Sequence, residues 1–153
     1  TPVSFSPFLT GASFATLVKY PHHCFALKSG AYQEGEDWLA RSAILFREHG
    51  VPVFIDKEEP LIADHWPLPD TAFYFGWYTT SISGAVGSPS FKFTPGAIAC
   101  HLHSYSAAAI RSADRHWVGP LLSHGAAVAL GNVFEPCHRG INWTGNAFRG
   151  KIY

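Results

Sequence analysis

The sequence lacks several features that would assign a protein to a common class. Eleven basic and eleven acidic residues cancel, and these charges are scattered along the chain. Proteins that bind nucleic acid or an anionic membrane usually carry a basic patch, so we expect no nucleic-acid partner. No apolar run approaches the roughly 20 residues of a membrane-spanning helix, so we also expect no direct membrane insertion.

Methionine is absent, and no secretory leader with a cleavage site is visible. Because the chain starts at Thr1, we expect a fragment or a processed product, which leaves the localisation of its parent open. Cysteine is scarce: Cys24, Cys100 and Cys137 make no even disulfide framework and contain no Cys-x-x-Cys zinc pair. Cys100 lies in an apolar run and is predicted to be a small buried hydrophobe.

The sequence does contain enough apolar and aromatic residues for one folded domain. Its 153 residues are 47% apolar and include 12 Phe, 6 Tyr and 5 Trp. A chain of this length can bury roughly two-thirds of its unfolded surface. Core or interdomain packing is the favoured role for the aromatics, and an aromatic-lined binding surface is the alternative.

Helical and strand patterns alternate from residue 34 onward. Helical spacing of apolar residues predicts a helix over 34–49 that Gly50 ends as a left-handed cap. A second, short helix is predicted to start at Asp114 as its cap and to run to about 124, where Gly125 stops it. Apolar runs predict strands at Val51–Asp56, Thr71–Trp77, Ala97–Leu102 and Ala126–Gly131.

This alternation predicts an α/β fold in three layers with a mostly parallel sheet, either caspase/gingipain-like or flavodoxin-like. The domain is expected to span residues 1–136 and to be incomplete, with an atypical tail at 137–153. The first 30 residues resist classification, although Cys24–Leu27 is a candidate short strand. The Gly/Ser-rich segment 78–96 is predicted to be a functional loop or a small hairpin above the sheet.

Polar residues gather at the end of the strand Ala97–Leu102, which carries His101 and is followed by His103, Ser104, Tyr105 and Ser106. In open α/β sheets, ligands bind beyond the carboxyl ends of the strands. We therefore expect a binding or catalytic site there.

Two neighbouring strand ends should contribute to the same site. Trp77 and Tyr78 are predicted to form a wall for a ligand, or else an aromatic plug beneath the loop. Asn132 and Glu135 follow the last strand. Glu135 could orient a histidine or transfer a proton, whereas the alternative is an Asn-stabilised turn with a surface carboxylate.

Two chemistries could use these residues. His101 and His103 share one strand face and could bind a divalent metal, given a third ligand such as Asp64, His65 or Glu135. Ser104 or Ser106 could act as a nucleophile with histidine as its base. However, no Gly-x-Ser-x-Gly elbow is present, and capping of residues 107–110 is the favoured role for both serines.

Several long motifs resemble an uncharacterised family of bacterial proteins, often exported, from bacteria with the exosortase sorting system. They are Gly76-Trp-Tyr, Phe93-Thr-Pro-Gly-Ala-Ile-Ala-Cys-His-Leu-His-Ser-Tyr-Ser-Ala107, Arg115-His-Trp-Val-Gly-Pro-Leu-Leu122 and Gly125-Ala-Ala-Val-Ala-Leu-Gly-Asn-Val-Phe-Glu-Pro136. The resemblance covers about residues 29–136 and implies no known activity. The chain departs from the family pattern at Cys100, where tyrosine is usual, and over 137–153.

A looser similarity links the chain to caspase, gingipain and CHAT-like folds. Trp77-Tyr78 stands where their His-Gly motif would fall, and His103-Ser104 stands where their cysteine would fall, so the protease dyad is absent. We therefore expect a domain that binds a small molecule or a protein at the strand ends. The alternative is a metal- or histidine-dependent hydrolase that uses His101 or His103 with Glu135.

Overall fold

The computed structural model describes residues 14–19, 31–56, 65, 67–68, 70–77 and 79–134. Its elements, in chain order, are β1 (Phe14–Lys19), α1 (Ala31–Glu48), β2 (Val53–Asp56), β3 (Thr71–Trp77), β4 (Ile98–Leu102), α2 (Val118–Ser123) and β5 (Val128–Leu130).

The strands form one sheet in the order β2-β1-β3-β4-β5, and every neighbouring pair is parallel. This is the order of flavodoxin-like doubly wound sheets. The predicted α/β fold with a parallel sheet is therefore confirmed. β3 is the central strand, and residues 71–76 of β3 and 99–102 of its neighbour β4 are all buried, as expected for strands covered on both faces.

Helix α1 covers one face of the sheet. Trp38, Leu39 and Ala43 recur at helical spacing and pack against Phe73 and Phe75 of β3. The helix ends where Gly50 takes φ 74°, the left-handed conformation that glycine adopts most readily. The predicted helix and its cap are confirmed, although the helix begins three residues earlier than the pattern indicates.

Helix α2 and the segment before β4 cover the opposite face. Trp117 and Leu121 pack against Tyr74 of β3, and Phe91 and Phe93 belong to the same buried cluster. The two clusters on opposite faces make the three layers. Because successive strand residues point to opposite faces, Cys100 faces α1 whereas its neighbour His101 faces α2.

The structure corrects three sequence-based expectations. The strand β1 was not predicted, and the alternative strand Cys24–Leu27 lies outside the described residues. Segment 79–97 contains a single 3₁₀ turn at Ala85–Gly87 and contributes aromatic side chains to the core, so the part of it that is described is no hairpin. Asp114 does not cap α2, which begins four residues later at Val118.

The described helices include none that is long and apolar enough to cross a membrane.

Candidate functional site

The carboxyl ends of β4 and β5 are joined by two hydrogen bonds, one to a side chain and one between backbone groups. The Asn132 N–H donates to Ser106 Oγ at 2.9 Å, and the Ala107 N–H donates to the Asn132 carbonyl at 2.8 Å. Gly131 allows this approach, since a Cβ there would lie 2.5 Å from Ser106 Oγ. The two strand ends therefore form one continuous rim.

Ser106 also anchors the start of α2. Its carbonyl accepts hydrogen bonds from the N–H groups of Trp117 (3.1 Å) and Val118 (2.9 Å). The residue is fully buried, and residues 104–111 form turns rather than a helix. Ser106 therefore does not cap a helix over 107–110, and its burial keeps its hydroxyl away from solvent. The hydroxyl and carbonyl of Ser106 join three chain segments, which is the role that the structure gives this residue.

His101 lies in the core rather than at the rim. Only 1% of its surface is exposed, and its ring stacks on Trp117 with centroids 3.5 Å apart and planes 4° apart. Its Nε2 accepts from the Thr79 N–H at 3.3 Å, and its Nδ1 lies 3.1 Å from Tyr74 Oη. Because Nε2 accepts, the neutral ring carries its proton on Nδ1 and donates it to the tyrosine oxygen.

Burial lowers the pKa of His101 well below its ordinary value, and the nearby His103 adds to the effect. A ring that is enclosed and hydrogen-bonded at both nitrogens does not reach a metal or a substrate. The expectation that His101 and His103 are presented together is therefore wrong for His101. The sequence correctly predicted that His101 points to the sheet face opposite Cys100, but the Trp117 ring covers the histidine there.

Cys100 behaves as predicted. It is buried beneath α1, and burial raises the pKa of its thiol to about 12, so the sulfur stays neutral and unreactive.

The accessible part of the rim is formed by the residues after β4. His103 and Ser104 are half-buried, and Tyr105 is 45% exposed. Tyr105 has φ 62°, a left-handed conformation that a bulky residue adopts at a cost of about 1–3 kcal/mol. Asn132 lies beside them, with its Nδ2 3.4 Å from the His103 carbonyl. The predicted convergence of the β4 and β5 ends is thus observed.

Other predicted residues lie outside what is described. Tyr78, Glu135 and the side chain of Trp77 are among them, and so is Asp64. No group of three or more His, Cys, Asp or Glu side chains that could hold a metal ion occurs within the described ranges. A site at His103 would therefore need ligands from elsewhere in the chain.

The sequence interpretation did not connect His101 with Tyr74, Thr79 and Trp117, which surround it in the structure. One signal was available: Gly76 stands two residues after Tyr74 and pairs in register with His101. A Cβ at Gly76 would overlap Tyr74 Oη and His101 Nδ1. A glycine at this position of a buried strand indicates that side chains meet over its backbone.

The buried histidine should make the fold acid-sensitive. Below the ordinary histidine pKa of 6.5, the unfolded chain binds a proton at His101 that the folded chain does not bind. We therefore expect the free energy of unfolding to be independent of this group above pH 6.5. Below that pH it should fall by up to about 1.4 kcal/mol per pH unit. Urea unfolding at pH 7.5, 6.5 and 5.5 measures this loss.

The control is His101→Gln, which removes the titrating group. Burial also lowers the pKa of His124, with a contribution from Lys92, so part of the acid sensitivity should persist in that variant. Equal losses of stability in wild type and His101→Gln would contradict the assignment.

Comparison with known proteins gives no match to any protein-family model, curated protein or solved structure. The resemblance to the exosortase-associated family stays a prediction.

Proposed function

We propose that the protein is a binding domain whose ligand docks at the carboxyl rim of β4 and β5. The ligand class that suits the rim is a molecule with an aromatic or apolar group joined to a hydrogen-bonding polar group. Tyr105 would contact the apolar part, and Ser104, His103 and Asn132 would contact the polar part. The whole site lies where open parallel sheets bind ligands.

The observation that carries the proposal is the conformation of Tyr105. A tyrosine in the left-handed region costs free energy, and such residues persist where the surrounding structure holds them in place and cluster at ligand sites. Two backbone hydrogen bonds in the turn that contains Tyr105 keep it in this conformation. The Ser106 N–H donates to the His103 carbonyl, and the Ala108 N–H donates to the Tyr105 carbonyl. In this conformation the Tyr105 side chain stays exposed to solvent.

Exposed apolar side chains continue from the rim. Val133 is 64% exposed and Phe134 is 68% exposed, and both directly follow Asn132. Since Asn132 is hydrogen-bonded to Ser106 and Ala107, these side chains extend from a segment that adjoins Tyr105. Large exposed apolar side chains that occur together indicate a surface used for binding.

The test is an NMR titration of the isotope-labelled protein with benzamide, benzoate and benzyl alcohol, which share a ring and differ in polar group. We expect amide shifts to concentrate in residues 103–107 and 131–133. The preferred polar group then defines the ligand class. Tyr105→Ala should weaken binding about five- to tenfold, equivalent to about 1 kcal/mol.

Ile44→Ala is the matched control, because it removes a comparably exposed apolar side chain from α1 on the other layer. It should leave the titration unchanged. Shifts scattered over the surface, or equal affinity in Tyr105→Ala and wild type, would contradict the proposal.

The hydrolase alternative has its own discriminating measurement. Thermal unfolding is followed with zinc, with manganese and with a chelator, in wild type and in His103→Ala. A binding domain without a metal should give the same Tm in every condition. A metal-dependent rise in Tm that disappears in His103→Ala would favour the hydrolase instead.

A further inference from the structure

The backbone N–H and carbonyl of Thr79 are hydrogen-bonded to two buried rings that stack on each other. Its N–H donates to His101 Nε2 at 3.3 Å, and its carbonyl accepts from Trp117 Nε1–H at 2.6 Å. His101 and Trp117 are almost wholly buried. Thr79 is the second residue after β3, so this contact fixes the chain where it leaves the sheet at the carboxyl edge.

Among the described residues, three hydrogen bonds and the packing of the Ile82 side chain on the core attach segment 79–82 to the rest of the domain. Besides the two bonds to Thr79, the Ile82 N–H donates to the His116 carbonyl at 2.8 Å. Thr80 and Ser81 between them are exposed. A segment with exposed residues and few anchors belongs to the part of a fold that opens locally, before global unfolding.

The hydrogen bond from the Thr79 N–H to Nε2 depends on the neutral form of His101. A second proton on the ring would place Nε2–H against the Thr79 N–H, so two donors would face each other and the bond would be lost. Among the described residues, the titratable groups near the ring are the Tyr74 hydroxyl, from β3, and His103, just after β4. Trp117 contributes no charge, and α1 lies on the opposite face of the sheet.

Neither neighbour favours a charged His101. A protonated His103 repels it, and the Tyr74 hydroxyl already accepts the proton on Nδ1. The ring therefore gains a second proton only when segment 79–82 has opened and water reaches Nε2.

We propose that His101 is a proton-operated latch, which holds segment 79–82 closed while its ring is neutral and releases the segment in acid. That the latch regulates ligand binding rests on the proposed function, since the segment lies at the same edge of the sheet as the rim. An open state that titrates like an ordinary histidine should be about 30-fold more populated, relative to the closed state, at pH 5.0 than at pH 7.5.

The test is amide hydrogen exchange of the ligand-free protein, measured by NMR at pH 7.5 and 5.0 and expressed as protection factors. Ala99, fully buried in β4, reports global unfolding. We expect Thr79 to be at least tenfold less protected than Ala99 at both pH values, as local opening requires. Its protection should fall about 30-fold at pH 5.0. His101→Gln, which can accept from Thr79 but does not titrate, should abolish that fall.

His65→Gln is the control, because it removes an exposed histidine from a turn outside this contact. This variant should show the same fall in Thr79 protection at pH 5.0 as the wild type. Equal protection of Thr79 and Ala99 would overturn the latch, as would an unchanged fall in His101→Gln. If that variant does not fold, the imidazole ¹⁵N shifts of wild type decide: any tautomer other than Nδ1–H overturns the proposal. Because no ligand is used, the latch and the benzamide titration can fail independently.

Discussion

Gly76→Ala should lower the free energy of unfolding by about 2–4 kcal/mol, combining overpacking with a lost buried hydrogen bond. The added Cβ would overlap both Tyr74 Oη and His101 Nδ1, closer than any real non-bonded contact allows. Neither ring can retreat easily, since Tyr74 and His101 each stack against Trp117. Urea unfolding followed by circular dichroism measures the loss.

Gly87→Ala is the matched control for that substitution. The nearest atom to a Cβ at Gly87 is 3.5 Å away, an ordinary van der Waals contact, and φ there is not left-handed. Its stability should change by less than about 1 kcal/mol. Tyr74→Phe in the Gly76→Ala background removes the closest clashing atom, so the two losses should not add. Strict additivity, or equal losses at the two glycines, would contradict the packing described.

Trp117→Ala should be at least as damaging, with a loss of about 3–5 kcal/mol, the range for truncating a buried aromatic residue. The indole is fully buried and stacks on His101 and Tyr74. Its removal also takes the hydrogen-bond donor away from the Thr79 carbonyl.

Trp117→Phe separates these two contributions. Phenylalanine can keep part of the stack but has no N–H, so the loss of the bond to Thr79 should dominate and cost about 1–3 kcal/mol. Urea unfolding of both variants gives the comparison. A loss below 1 kcal/mol in Trp117→Ala would mean that the indole does not fill the core as described.

The parts of the fold that could be predicted are those governed by local pattern. The boundaries of β3 follow directly from an apolar run, and α1 follows from helical spacing that Gly50 ends. By contrast, β1 lies between segments that contain several prolines and glycines, which interrupt the apolar pattern around it. Its place between β2 and β3 depends on pairing with residues distant in sequence, which no local pattern reveals.

The candidate site could be predicted only at the level of strand ends. Parallel topology brings the β4 and β5 ends together, and Asn132 does meet the residues after β4. Alternation along β4 also gives the correct face for His101. What lies against that face depends on Trp117, 16 residues later in the chain. The sequence alone could not distinguish a presented histidine from a buried one.

The hydrogen bonds of Ser106 have a consequence for engineering. They clamp together the two ends of the turn segment 107–116, whose tip at 113–115 is exposed. Lengthening a loop whose ends are already joined costs little, about 0.6 kcal/mol for each doubling of its length. The tip is therefore the place to insert a peptide tag or a reporter sequence while the sheet keeps its register.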